Sequence, residues 1–188
     1  MGENYLTNPL EFLVSTLVDL YLFVLLLRFL LQMVRADFYN PLSQFIVKAT
    51  NPVLQPLRSF IPPVARQDTA ALVALFGIKL AFLAGYVALK GGSVGIGGLL
   101  AWSVADIIKL VLDLFFFAII IRAILSWINP GGYNPAAALI EQITDPVMRP
   151  VQNIMPPLGG IDLSPIALLI GIQVLKMLVI PPLMHLVF

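Results

Sequence analysis

The sequence predicts an all-α membrane protein: four transmembrane helices forming two parallel helix–connector–helix repeats, with short amphipathic interfacial helices. Three observations lead there. The 188-residue chain is 60% hydrophobic and only 11% charged, with a mean hydropathy of +0.96. A water-soluble domain of that size could not solvate so much apolar surface. Four windows run for about 20 residues with few charges, the length that crosses a bilayer. The chain also repeats itself at a constant offset of 94 residues: Tyr39-Asn40-Pro41 recurs as Tyr133-Asn134-Pro135, and Pro62-Pro63 as Pro156-Pro157.

The first span is expected over Leu10–Met33. No basic residue precedes it, as a secretory signal would require, so it reads as a retained span. The second is expected over Thr69–Leu89, the third over Trp102–Ile128 and the fourth over Ser164–Val187. At a rise of ~1.5 Å per residue each is ~30 Å long or more. The glycine-rich stretch between the second and third spans reads as a flexible linker, residues 91–98, between repeats at 1–90 and 99–188. Its glycines lack the Gly-Lys-Ser/Thr of a phosphate loop.

Without a gap, Val18–Asp68 lies over Leu112–Asp162, with Asp19/Asp113, Arg28/Arg122, Thr50/Thr144, Pro52/Pro146, Pro56/Pro150 and Asp68/Asp162 identical. This is an internal duplication. Two spans per unit bring both units in from the same side, a parallel rather than inverted repeat.

Each connector starts with a capping signal. Asn40 and Asn134 suit an N-cap, and Pro41 and Pro135 suit the first helical position. Leu42, Phe45, Ile46 and Ala49, like Ala136, Leu139, Ile140 and Ile143, then recur at amphipathic spacing. Asn51-Pro52 and Asp145-Pro146 repeat the device, which predicts a second short helix in each connector. The double prolines Pro62-Pro63 and Pro156-Pro157 end it. Asp162 or Ser164, followed by Pro165, offers the cap of the last span. Capping and turn chemistry explain these residues as they stand; a docking surface for a partner is the functional reading of the same connector motif.

These connectors carry a family resemblance. Arg122-Ala-Ile-Leu-Ser-Trp-Ile-Asn-Pro130, Tyr133-Asn-Pro135, Thr144-Asp-Pro-Val-Met-Arg-Pro150 and Met155-Pro-Pro-Leu-Gly-Gly-Ile-Asp-Leu-Ser-Pro165 resemble the signature of the YggT family of bacterial membrane proteins. Two tandem copies cover nearly the whole chain. The first copy departs from the signature: Gln32-Met33 stands for Ser-Trp, Arg35-Ala36 for Asn-Pro, and Val64-Ala-Arg-Gln for the Leu-Gly-Gly-Ile turn. The resemblance implies a role in osmotic stress tolerance and cation, especially potassium, homeostasis. Relatives with a single domain are linked to envelope organisation and, in plastids, to haem-attachment assembly. It brings no catalytic residues.

Ionisable groups within spans are functional candidates by default. Arg28 and Arg122 lie near the connector ends of their helices and can snorkel or bind the connector. Asp19 and Asp113 are deeper. Counting residues from the connectors puts Lys79 near Asp19 and Lys176 near Asp113 in depth, so each half is expected to hold an Asp–Lys pair. Lys109 offers Asp113 a partner one turn away, with Asp106 on the same face. A structural ion pair is one reading of these groups, and a cation or proton relay the other.

No cysteine is present, which excludes thiol chemistry and disulfides in this chain. A net charge of +1 gives no field for nucleic acid. No nucleophile–base pair, metal cluster or cofactor loop is readable, so neither an enzyme nor a cofactor is expected. The expected partners are the lipid bilayer and other membrane proteins or a second copy, with a monovalent cation under the relay reading. The connectors carry Arg35, Lys48, Arg58, Arg66 and Arg149, against Lys90 on the other side. The positive-inside rule then puts the connectors in the cytoplasm and both termini in the periplasm of a bacterial inner membrane.

Overall fold

The computed structural model describes residues 3–64, 67–128, 134–155 and 162–187, and of residues 3–8 and 127 the backbone alone. Arg66, Tyr133, Pro156 and Pro157 lie outside the described residues. Among the described residues six helices follow in order: α1 Glu3–Met33, α2 Pro41–Phe60, α3 Thr69–Leu89, α4 Ile96–Ile128, α5 Pro135–Ile154 and α6 Ser164–Met184. Among the described residues, three segments are long and apolar enough to cross a membrane: Pro9–Met33 of α1, Thr69–Leu89 and Ser164–Met184. The 33-residue α4 is the longest helix and carries Asp106, Lys109, Asp113 and Arg122.

In the first half α1 packs on α3 and the connector helix α2 packs on both. In the second, α4 packs on α6 and α5 on both. The halves join where α3 meets α4 and where α5 meets α1 and α2. Leu22, Leu25, Leu26 and Leu30 of α1 are buried against Ala71, Ala74 and Leu75 of α3. The alanines let the two backbones approach, which is how helices associate in lipid, where no hydrophobic force separates protein from solvent. Ile46 and Leu54 of α2 and Leu139 and Ile143 of α5 join this cluster, and a smaller one gathers Leu112, Ile119, Met148 and Ile172. Large apolar side chains such as Phe12, Leu17, Phe117, Ile170 and Met177 are left on the outside of the helices.

Each connector holds one helix, not two. Asn51-Pro52 and Asp145-Pro146 do not restart the chain; Pro52 and Pro56, like Pro146 and Pro150, sit inside 20-residue helices. Proline removes an i→i−4 bond and crowds the preceding turn. Here both prolines of each pair, four residues apart, fall on the exposed face. The opposite face is buried through Ser43, Ile46, Thr50 and Leu54, or Leu139, Ile143, Thr144 and Met148. That packing carries the helix through its weakened turns. At 1.5 Å per residue the connector helices are ~30 Å long, where the sequence predicts two short helices in each connector.

The connection between the halves is shorter than the expected linker, because residues 96–98 form the first turn of α4. A side chain at Gly98 would meet Val94 at 2.8 Å and the Val187 carbonyl oxygen at 3.2 Å. Glycine there lets α4 start against the end of α6. α3 closes in a Schellman motif: Gly91, at φ +66°, donates to Ala88, and Gly92 donates to Val87.

Candidate functional site

Two groups of polar side chains stand out, one deep among the spans and one at the connectors. The deep group centres on Lys79 of α3. Its Nζ donates to Asp19 of α1 at 3.0 Å and to Asp106 of α4 at 2.9 Å. Phe82 lies under the ammonium, 5.7 Å from its ring centre. Lys176 of α6 pairs with Asp113 of α4 and lies 5.2 Å from the centre of the Phe116 ring. Asp19, Lys79, Asp106, Lys109 and Asp113 line one cavity of about 160 Å³ between α1, α3 and α4. Lys79 is ~16 Å along α3 from Asp68, so this cavity is at mid-span depth.

The two depth-matched pairs, Asp19–Lys79 and Asp113–Lys176, therefore form. The expected stripe on α4 does not: Asp106 and Asp113 both turn to lysines on neighbouring helices, and Lys109 has no ion pair among the described residues. A lysine from a facing helix reaches its carboxylate across the packed interface, whereas Lys109, exposed on α4, lines the cavity without an ion-pair partner among the described residues. The repeat is also imperfect here. The constant offset places Gln173, not Lys176, opposite Lys79, so the second lysine is one turn displaced. Asp106 corresponds to Phe12, and its bond to Lys79 joins the halves rather than repeating within them.

The connector group begins with two matching caps. Asn40 Oδ1 accepts from the Leu42 amide at 2.9 Å, and Asn134 Oδ1 from the Ala136 amide at 2.9 Å. Pro41 and Pro135 stand at the helix starts as expected. Asn40 goes further: its buried Nδ2 donates to the Pro135 carbonyl at 2.8 Å, so the cap of one connector holds the first turn of the other. The Asp37 amide adds a bond to Gln142 of α5 at 3.3 Å.

Asp68 accepts from the Ala71 amide at the start of α3 and is bound by Arg58, ten residues earlier. In the second half Asp162 accepts from Gln152, also ten residues earlier, at 2.8 Å, and from the Ser164 amide at 2.8 Å. Each aspartate thus ties the end of a connector helix to the start of the next span. The Thr69 hydroxyl adds a bond to the Pro62 carbonyl at 2.6 Å. Ser164 is not the cap of α6; its buried hydroxyl has no hydrogen-bond partner among the described residues, and Pro165 occupies the first turn.

Arg122 of α4 reaches α5, where it donates to Thr144 Oγ1 at 2.7 Å and to Asp145 at 2.8 Å. Arg149 holds the other oxygen of Asp145 at 2.6 Å. Burial works against the Asp145 carboxylate, but the hydrogen bonds from Arg122 and Arg149 outweigh it and hold the group below the usual carboxylate range. Arg28, the counterpart of Arg122, is different: its Nε is buried without a partner among the described residues. Tyr39, Phe45 and Phe60 leave large apolar surface exposed on the first connector.

The cross-half bonds of Asn40 and Lys79, and the Asp68 and Asp162 clamps, go beyond the sequence expectation. The signal for the clamps was in the repeat, since Arg58 and Gln152 are equivalent positions that both carry long hydrogen-bond donors.

Comparison with known proteins matches the CCB3/YggT family model over residues 7–86 and 101–183, one copy in each half. An uncharacterized Pseudomonas aeruginosa protein is 50% identical over 171 residues, 90% of this chain and 87% of that protein. A Vibrio alginolyticus protein, also uncharacterized, is 44% identical over 88% of this chain and 90% of its own length. The uncharacterized protein YggT of Escherichia coli is 38% identical over 174 residues, 90% of this chain and 88% of its own. No solved structure matches.

Proposed function

The chain belongs to the CCB3/YggT family, and on that premise we propose that it is a multi-pass scaffold of the bacterial inner membrane whose connectors dock other membrane proteins. In this reading α4 joins the three apolar helices as a fourth span, and the halves are parallel repeats. The connectors face the cytoplasm and the termini the periplasm. The arginines and lysines of the connectors support that orientation. The observation that carries the reading is the bond from Asn40 to the Pro135 carbonyl. It ties the two connectors into one platform, with Tyr39 and Phe45 exposed near it. A role in osmotic stress tolerance and ion balance then follows indirectly, through the partner the platform organises.

Gentle-detergent purification from native membranes tests this. A stoichiometric partner that is retained by Lys48→Gln and lost from Asn40→Ala agrees with the platform. Recovery of the chain alone contradicts it.

A second reading is favoured by the cavity among Asp19, Asp106, Lys109 and Asp113. There the carboxylates would relay a monovalent cation or proton directly. Under this reading Asp19→Asn and Asp106→Asn lower flux while folding survives. The pairing of Asp19, Asp106 and Asp113 with lysines supports the scaffold reading instead, since a paired carboxylate offers less charge to a passing cation.

A further inference from the structure

The first connector holds a second cavity, of about 290 Å³, at the junction of α1 and α2. Arg28, Arg35 and Ser43 line it, with Gln32, Phe38 and Val47. Among the described residues no carboxylate lines it, and Asp68, the carboxylate that acts on Arg28, is paired with Arg58. The Arg28 Nε and the Ser43 hydroxyl are buried without hydrogen-bond partners among the described residues, and Ser43 is only 5% exposed. Buried polar atoms of this kind are costly unless something binds them.

The duplication supplies an internal comparison. In the second half the equivalent arginine, Arg122, is neutralised by Asp145 and Thr144. The position equivalent to Asp145 is Asn51, so the first half has no carboxylate there. It also carries an arginine, Arg35, where the second half has Asn129, and a hydroxyl, Ser43, where the second half has Ala137. All three differences favour an anion.

The backbone adds an independent observation. α1 ends in the same Schellman motif as α3: Arg35 donates to Gln32 at 3.1 Å, and Ala36 to Leu31 at 2.8 Å. At the left-handed position α3 has Gly91, but α1 has Arg35, at φ +53°. A left-handed arginine is strained by about 1 kcal/mol, where glycine would be free. The guanidinium is thus placed in this cavity against a backbone preference.

We propose that Arg28, Arg35 and Ser43 bind a phosphate group, carried by an anionic phospholipid at the connector-side membrane surface. Two guanidiniums and a hydroxyl suit phosphate oxygens. Phe38, Leu42 and Phe45, exposed apolar side chains of the same connector, suit the attached acyl region and favour a lipid over a free ion.

The test is thermal unfolding of the purified full-length chain in neutral detergent, titrated with phosphatidylglycerol, phosphatidylcholine or inorganic phosphate. Phosphatidylglycerol should raise the Tm saturably and phosphatidylcholine should not. Arg35→Gly relieves the strained backbone, so it should fold at least as well as the wild type. It should nevertheless bind phosphatidylglycerol on the order of tenfold more weakly. Ser43→Ala should fold normally and weaken the same response, while Lys48→Gln, outside the cavity, should keep it. A Tm rise with inorganic phosphate that Arg35→Gly abolishes would uphold the phosphate site and make its source soluble. An unchanged lipid response in Arg35→Gly, or equal losses in Arg35→Gly and Lys48→Gln, would overturn the proposal.

Discussion

Replacing Lys79 with methionine isolates what the deep charges do. The substitution keeps the length of the side chain and its packing on Phe82. It removes the ammonium that serves both Asp19 and Asp106. Taking one partner from a buried ion pair costs about 3–5 kcal/mol, mostly from the charge left behind. The Lys79 side chain is 9% exposed but that of Asp19 is 54% exposed. At mid-span depth that exposed carboxylate meets hydrocarbon rather than water, so turning away brings no relief and the cost is at least about 3 kcal/mol. That is a shift of about two decades in the folding equilibrium. Lys176→Met strands only Asp113 and should cost less. Combining Lys79→Met with Asp19→Asn and Asp106→Asn removes Lys79 together with both its carboxylates and should recover stability to within about 1 kcal/mol of the wild type. Reversible unfolding in mixed micelles of increasing denaturing-detergent fraction measures all of these. A Lys79→Met protein as stable as the wild type would refute the structural role of the pair, as would a triple variant less stable than the single one.

Other outcomes follow from the connectors. Asn40→Ala should cost about 1 kcal/mol more than Asn134→Ala in the same unfolding assay, because both lose a cap but only Asn40 also loses the bond between connectors. Asp68→Ala removes the α3 cap and the Arg58 pair together, and should increase hydrogen exchange at the start of α3 and the end of α2. The Asp145 carboxyl titrates below its unfolded value, so its contribution to stability is complete above about pH 4. That contribution is lost as the pH falls through the lower folded value, and Asp145→Asn should lack this part of the acid unfolding profile.

Much of the architecture could be read before any coordinates. Three of the four expected spans follow from hydropathy, and the caps at Asn40 and Asn134 follow from local chemistry that needs no tertiary context. The Asp19–Lys79 and Asp113–Lys176 pairs follow from counting residues inward from equivalent connectors. Asn51-Pro52 misled because an asparagine before a proline marks a helix start only where the chain has already turned. Here Ile46, Thr50 and Leu54 keep one face packed through the prolines, and packing overrides the local signal. Lys109 misled because spacing along one helix says nothing of lysines on its neighbours. The bonds of Asn40 to Pro135 and Lys79 to Asp106 were hidden for a related reason. Both cross between the halves, and a repeat defines the inside of each unit but not how two units dock.

The most direct test of the scaffold account is potassium and proton flux into sealed liposomes reconstituted with the wild-type chain, compared with empty liposomes. The account predicts no difference between them, because the deep carboxylates are held by lysines as part of the packing. A saturable flux that falls in the Asp19→Asn and Asp106→Asn variants, with both still folded, would contradict it and assign those carboxylates to transport.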